Sequence, residues 1–116
     1  MSTNFIAHVE LPTTNIEKST DFFKRALGWE LKHFGSGYSL FNTKKGVTIG
    51  LRKVNKVDQG ETPVFHVLVE DIDRALENVE IAGGKIFKPR TVIPVYGWYA
   101  VIQDLEGNKI GLYQAS

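Results

Sequence analysis

The sequence contains no cysteine, and this absence removes a whole group of functions. Without thiols there is no disulfide framework, no thiolate nucleophile and no sulfur-ligated zinc or iron–sulfur centre. The lack of cysteine also agrees with a cytoplasmic location, which we predict. Any chemistry must therefore rest on histidine, carboxylates, hydroxyls, lysine or arginine.

An excess of charge and a long apolar run are also lacking. Lys and Arg total 14 against 13 for Asp and Glu, so the formal charge of +1 offers no basic excess for nucleic acid. No apolar stretch approaches the roughly 20 residues of a membrane-spanning helix. We therefore predict neither a nucleic-acid nor a membrane partner. A chain of 116 residues, 42% of them hydrophobic, is typical of one globular domain.

The first half of the chain predicts a strand, a helix and three further strands. Apolar residues alternate over 5–11 and predict a strand that ends at Pro12. An amphipathic helix follows over 16–27, with Thr14 and Glu17 as its capping box. Three short strands are then predicted over 29–34, 38–42 and 47–52, with a turn at 44–46.

The second half repeats this order. A strand over 64–69 precedes a helix that begins after Asp71, and strands follow near 85–88, 98–103 and 109–114. The segments Gly46 to Leu51 and Gly107 to Leu112 share Gly, Ile, Gly and Leu at matching places. We therefore predict one domain over 1–116 made of two βαβββ modules that share a core, with module one at 4–53, a linker at 54–62 and module two at 63–115.

These motifs resemble the vicinal oxygen chelate superfamily, the group of glyoxalases, bleomycin-resistance proteins and extradiol dioxygenases. The resemblance runs through Ser19 to Trp29, Val69 to Leu76 and Asp104 to Leu112, and so covers nearly the whole chain. Pro94 to Trp98 is similar to small lactoylglutathione-lyase-related members. The resemblance implies an α+β, glyoxalase-like fold, in which the modules form a U-shaped, partly closed mixed sheet with helices on the outer face. It also implies a homodimer.

Many members of this superfamily hold a divalent metal through one residue from each of four strands. Carried over by resemblance, those ligand positions fall at His8, Gly50, Val64 and Gly111. Only His8 offers a donor atom, so we predict no metal cofactor and disfavour metal-dependent glyoxalase or ring-cleaving dioxygenase activity. Glycines at 50 and 111 would leave space for a ligand near the backbone, or mark a bulge or tight sheet curvature.

Three side chains are candidate catalytic residues. Strand alternation places His8, Glu10 and His66 on the face opposite the apolar core face. Either histidine could serve as a general acid or base, with Glu10 orienting it. Two alternatives stay open. The same three residues could hold a divalent metal at a shifted site, or the histidines could simply be hydrogen-bonded to their neighbours.

Further residues on this face are candidates for ligand binding. Arg52, Lys109 and Tyr113 could bind the carboxylate or phosphate of an anionic ligand, or they could be solvated strand ends.

The long segment 88–97 could form a lid over the ligand. Tyr96 and Trp98 would then act as an aromatic clamp. The alternative is that the two aromatic side chains pack in the core or at a dimer interface.

Together these features predict a protein that binds a small organic molecule. It would be either a lyase or isomerase that uses His/Glu acid–base chemistry, or a non-catalytic sequestering protein of the bleomycin-resistance type. A purely structural dimer is a third alternative, which predicts a cavity too small for any ligand.

Overall fold

The computed structural model describes residues 7–42, 47–60 and 63–116. In chain order these residues form β1 (His8–Thr13), α1 (Ile16–Leu27), β2 (Lys32–His33), β3 (Tyr38–Phe41), β4 (Thr48–Lys53), β5 (His66–Leu68), α2 (Ile72–Ile81), β6 (Lys85–Ile93), β7 (Gly97–Gln103) and β8 (Lys109–Ala115). The βαβββ order therefore occurs twice, as the sequence predicts.

The strands form two four-stranded mixed sheets of the same design. The first sheet has the order β1-β4-β3-β2 and the second has the order β5-β8-β7-β6. In each sheet the first and last strands of the module pair in parallel, and the other pairs are antiparallel. The predicted α+β, glyoxalase-like fold is confirmed. Within the described part of the chain the strands belong to two separate sheets, and neither sheet closes into a barrel.

One apolar core joins the two modules. Helix α1 packs on β3 and β4, α2 packs on β6, β7 and β8, and the helices pack against each other. Phe22 and Phe23 of α1 and Val79 of α2 are fully buried there. The predicted apolar faces are confirmed, since Leu51 and Leu112 occupy matching positions in the core. The molecule is only 24 Å thick, which is the depth of one sheet layer and one helix layer.

The start of the first helix differs from the prediction. Asn15 is the N-cap, and its side chain accepts a hydrogen bond from the backbone N–H of Lys18. Thr14 bonds to Glu106 instead, so the predicted capping box of Thr14 and Glu17 is wrong. The side chain of Thr14 has a stronger acceptor in the second module, which no local pattern reveals.

Strand β1 continues through Pro12 and does not end there. Pro12 pairs with Arg52, and proline is tolerated because β1 is an edge strand whose outer side needs no N–H donor. The predicted start of this strand, at residues 5 and 6, lies outside the described residues, as does the predicted turn at 44–46.

The strand predicted over 29–34 is much shorter, because its first aromatic residue belongs to the core. Trp29 is buried and stacks between Phe23 and Phe41, with ring centroids 5.1 and 5.5 Å away. Only Lys32–His33 pairs with β3.

The segment 88–97 is not a loop. Strand β6 runs on to Ile93, and Thr91, Val92 and Ile93 pair with β7. The backbone N–H of Tyr96 then donates to the carbonyl of Ile93 over 3.0 Å, which closes a tight turn. β-branched residues favour this extended pairing. The predicted loop is therefore wrong, whereas a role for this hairpin as a lid stays a prediction.

Candidate functional site

Strand register shows which residues of the two sheets are equivalent. Glu10 pairs with Gly50 in the first sheet, and His66 pairs with Gly111 in the second. His66 therefore occupies the place of Glu10, and Val64, two residues earlier in the chain, falls at the place of His8. The two histidines lie on equivalent strands but not at equivalent positions.

The neighbouring strands extend this equivalence. Tyr38 pairs with Arg52 in the first sheet, just as Tyr99 pairs with Tyr113 in the second. The same scaffold positions therefore carry Glu, Tyr and Arg in one module and His, Tyr and Tyr in the other.

In the first sheet these positions form a continuous chain of hydrogen bonds, which we call the first-sheet network. Its members, in bonding order, are Thr48, His8, Tyr38, Glu10 and Arg52. His8 Nδ1 lies 2.5 Å from the Thr48 hydroxyl, and His8 Nε2 lies 2.7 Å from Tyr38 Oη. Tyr38 Oη donates to Glu10 Oε2 over 2.8 Å, while two guanidinium nitrogens of Arg52 contact Glu10 Oε1 at 2.7 and 2.8 Å.

Electrostatics determine the proton positions in this network. The hydrogen bond from Tyr38 and the guanidinium of Arg52 lower the pKa of Glu10. Burial and the neighbouring carboxylate raise the pKa of Tyr38, which therefore keeps its proton and donates it to Glu10. His8 Nε2 must then be the donor to Tyr38 Oη, because that hydroxyl has only one proton. Both nitrogens of His8 are thus engaged.

Gly50 makes room for this network. A Cβ at position 50 would overlap the hydroxyl of Tyr38 and come within 3.0 Å of His8 Nε2. The space predicted for a ligand is therefore filled by the chain's own tyrosine. Sequence reasoning missed Tyr38 as a site residue. A signal was available, since the 61-residue offset that relates Gly50 to Gly111 also relates Tyr38 to Tyr99.

In the second sheet the equivalent positions line an open hollow, which we call the second-sheet pocket. It has a volume of about 380 Å³ and an almost wholly apolar lining, formed by His66, Leu68, Ile93, Tyr99 and Tyr113. The imidazole of His66 lies flat on Gly111, where a Cβ would overlap the ring. No hydrogen bond or ion pair joins His66 to any of the residues that the structure describes.

The remaining predicted ligand-binding residues have partners within the chain. Lys109 Nζ donates to the carbonyl of Gly60 over 2.7 Å and lies 4.6 Å from the ring centroid of Phe87. Tyr113 Oη donates to the carbonyl of Tyr96 over 2.8 Å. Arg52, in the first-sheet network, is paired with Glu10.

The two aromatic residues predicted to clamp a ligand are not brought together. Trp98 is half-buried and packs against the core. Tyr96 lies in the β6–β7 turn with 67% of its surface exposed.

The residues present do not fit a resident metal ion. Of the four positions carried over by resemblance, three have no donor side chain, and the two nitrogens of His8 are hydrogen-bonded. His8 and Glu10 lie on the first sheet, whereas His66 lies on the second. Across residues 7–42, 47–60 and 63–116, no group of three or more His, Asp or Glu side chains could hold a metal.

A family profile described as the Glyoxalase/Bleomycin resistance protein/Dioxygenase superfamily matches residues 5–112. The chain therefore belongs to this family, which is the vicinal oxygen chelate superfamily that the sequence motifs resemble. No curated protein sequence matches the chain significantly.

Solved structures share the fold at low sequence identity. A glyoxalase-related enzyme from Fulvimarina pelagi is 17% identical with a TM-score of 0.80, over 97% of this chain and 88% of that one. A glyoxalase/bleomycin resistance protein from Albidiferax ferrireducens T118 is 16% identical with a TM-score of 0.79, over 96% and 98%. TnmS3, an antibiotic binding protein from Streptomyces sp. CB03234, is 20% identical with a TM-score of 0.73, over 100% and 99%. At these identities the likeness concerns the fold alone.

Among the described helices, none is long and apolar enough to cross a membrane.

Proposed function

We propose that this protein binds a small organic molecule in the second-sheet pocket and sequesters it without transforming it. The observation that carries this proposal is the pocket itself. It is an apolar hollow with one imidazole that has no partner among the described residues. Its volume of about 380 Å³ lies within the range of small-molecule sites. This argues against a purely structural protein.

The first-sheet network supports sequestration over catalysis at His8 and Glu10. A general base needs a free lone pair within reach of the substrate. Both nitrogens of His8 are hydrogen-bonded, and the Glu10 carboxylate is held by Tyr38 and Arg52. Binding without chemistry also agrees with the fold being shared by an antibiotic binding protein.

A thermal-shift screen of metabolites and antibiotics tests the proposal. A bound ligand should raise the melting temperature in proportion to its concentration over its Kd. Leu68→Glu should abolish this shift, because Leu68 lines the pocket, and with 71% of its surface exposed it tolerates the change without unfolding. Ile81→Glu is the matched control, since Ile81 is 65% exposed on α2 and lies outside the pocket. If no compound stabilises the wild type, or if Leu68→Glu keeps the full shift, the proposal fails.

A second candidate function is that of a lyase or isomerase. The imidazole of His66, which has no partner among the described residues, favours it. An imidazole that lines a pocket can accept a proton from a bound molecule or donate one to it. The check is to incubate each stabilising compound with the protein and analyse it by mass spectrometry and NMR. Turnover that His66→Asn removes, while the thermal shift remains, would establish the enzyme. An unchanged compound would establish sequestration.

We also propose that the protein forms a homodimer, as the family resemblance implies. Exposed apolar side chains at Val92, Val95 and Tyr96 support this assembly, because such groups on a small protein commonly mark an interface. Sedimentation velocity would show a species of twice the chain mass of 13.0 kDa. A monomer at all concentrations would contradict it. The cytoplasmic location remains a prediction.

A further inference from the structure

One row of residues crosses the second sheet along one side of the pocket, and its first member, His66, lines the pocket. His66 pairs with Gly111, Gly111 with Val101, and Val101 with Lys88. His66 and Lys88 therefore stand at the two ends of a row four strands wide, about 14 Å apart at neighbouring-strand spacings of about 4.8 Å. Between them the row holds only a glycine and a valine. A ligand in the pocket would thus lie beside a row that carries an imidazole at one end and an ammonium group at the other.

The ammonium group of Lys88 reaches the pocket wall. Lys88 Nζ lies 5.0 Å from the centroid of the Tyr99 ring, and Tyr99 lines the pocket. No carboxylate of the described residues pairs with Lys88, since the ion pairs found there involve His8, Arg25, Arg52 and Arg90. A cation held only by an aromatic face can still accept an anion.

Other basic residues are less suited to meet a ligand in this pocket. Lys109 is bonded to a carbonyl and packs over Phe87. Arg52 is paired with Glu10 on the other sheet, and Arg90 is paired with Asp73 over 2.9 Å. Among the described residues, Lys88 is therefore a cation that lies at the wall of the pocket without a carboxylate partner.

Building on the proposed function, we propose that the second-sheet pocket selects a planar aromatic molecule that carries one anionic group, and that Lys88 is the residue that recognises the anion. The flat faces of Tyr99 and Tyr113 and the side chains of Leu68 and Ile93 suit the aromatic body. The ammonium of Lys88 exchanges its contact with the Tyr99 ring for an ion pair with the ligand. Lys88 is thus a specificity-determining residue.

A matched pair of fluorescent probes tests this proposal. 8-Anilinonaphthalene-1-sulfonate and N-phenyl-1-naphthylamine share one aromatic body and differ by a sulfonate. We expect the wild type to bind the sulfonate more tightly. Lys88→Met should weaken sulfonate binding by about fivefold, as expected for a partly exposed ion pair, and leave the neutral probe unchanged. Lys32→Met is the control, because Lys32 pairs with Leu40 in the first sheet at the position equivalent to Lys88.

The outcomes separate this inference from the proposed function. If Lys88→Met changes the affinity for both probes equally, or for neither, the anion preference is overturned. If Lys32→Met weakens the sulfonate as much as Lys88→Met does, general surface charge explains the effect and the role of Lys88 is overturned. If Leu68→Glu fails to weaken either probe, the pocket itself is not the binding site and the proposed function fails with it.

Discussion

The two sheets have the same strand order and differ in the side chains on the face opposite the core. At three equivalent positions the first sheet carries Glu10, Tyr38 and Arg52, and these side chains satisfy one another. The second sheet carries His66, Tyr99 and Tyr113 there, and these line a pocket. The comparison teaches that equivalent positions form an open pocket where they do not carry complementary charges.

The physical reason lies in charge pairing. Arg52 and Glu10 neutralise each other at 2.7 Å, and the hydroxyl of Tyr38 is drawn into the pair. At the equivalent positions the second sheet has His and Tyr in place of Glu and Arg, so it lacks this carboxylate–guanidinium pair and its side chains are not drawn together in the same way. Their apolar surface then remains open to a ligand.

The largest expected effect on stability concerns the side-chain hydrogen bonds near the N-termini of the two helices. Glu106, in the β7–β8 turn, accepts hydrogen bonds from Thr13 and Thr14, which precede α1. At the start of α2, the backbone N–H of Ile72 donates to the side-chain oxygen of Gln114 in the same module. We expect Glu106→Ala to lower the free energy of unfolding by about 2–3 kcal/mol, and Gln114→Ala by about 1 kcal/mol. Urea denaturation measures both. Equal losses would show that the hydrogen bonds between the modules stabilise the protein no more than the bond within one module.

The pH dependence of stability sharpens this difference. Burial raises the pKa of Glu106, but hydrogen bonds from Thr14 and Thr13 outweigh it and lower the pKa below 4.5. Its stabilising contribution is therefore present above pH 4.5 and is lost as the pH falls through the folded-state pKa. Burial raises the pKa of Asp104. The contribution of Asp104 to stability therefore has the opposite pH dependence, because it declines as the pH rises through the raised pKa. When the pH falls below 4.5, the free energy of unfolding should therefore decrease less in Glu106→Gln than in the wild type. Urea denaturation at several pH values measures this, and identical pH dependence in the two proteins would contradict it.

Adding a methyl group to the two equivalent glycines should have unequal effects. Gly50→Ala forces Tyr38 away from two hydrogen-bonded partners, and we expect a loss of about 2 kcal/mol in the free energy of unfolding. Gly111→Ala only displaces the unanchored ring of His66, so less than about 1 kcal/mol is expected. Chemical denaturation compares them. A larger loss of stability for Gly111→Ala than for Gly50→Ala would contradict the contrast between the hydrogen-bonded first-sheet network and the open second-sheet pocket.

The two equivalent tyrosines offer a gentler test. Tyr38→Phe removes a hydroxyl that bonds to both His8 and Glu10, and should lower the free energy of unfolding by about 1 kcal/mol. Tyr99→Phe removes a hydroxyl with no hydrogen bond among the described residues, so its effect should stay within about 0.5 kcal/mol. Thermal melts of both variants are the measurement. Equal shifts would mean that the first-sheet network adds no stability.

The smallest effect is expected at the hairpin turns. Val95 adopts φ 75° in the β6–β7 turn, where a β-branched residue is strained, and the turn between β2 and β3 places Gly35 at φ 82°. Val95→Gly should therefore raise the free energy of unfolding by about 0.5 kcal/mol, the strain relief exceeding the entropy cost of glycine. Gly35→Val should lower it. Calorimetry gives both values, and a destabilised Val95→Gly would show that the turn is unstrained.

Much of the fold could be predicted because its signals are local. The 3.6-residue period and the stop at Gly28 predict helix α1, and its observed bounds, Ile16–Leu27, match. The apolar alternation through Ile49 and Leu51 likewise predicts the core face. Prediction fails where a contact with a distant residue replaces the local one. Thr14 bonds to Glu106 and does not cap its own helix, and Trp29 packs in the core and not in a strand.

The candidate site was only partly predictable. Sequence alone determined the repeated modules, the absence of thiol chemistry and the presence of His8, Glu10 and His66 on the face opposite the core. Tertiary structure decided which of those groups are engaged, because register brings Arg52 and Tyr38 to Glu10 from 42 and 28 residues away. It also placed Lys88 beside Tyr99, in a segment that resembles a loop in sequence. Hydrogen bonds and ion pairs act over a few ångströms, so their partners are chosen by the folded backbone and not by position along the chain.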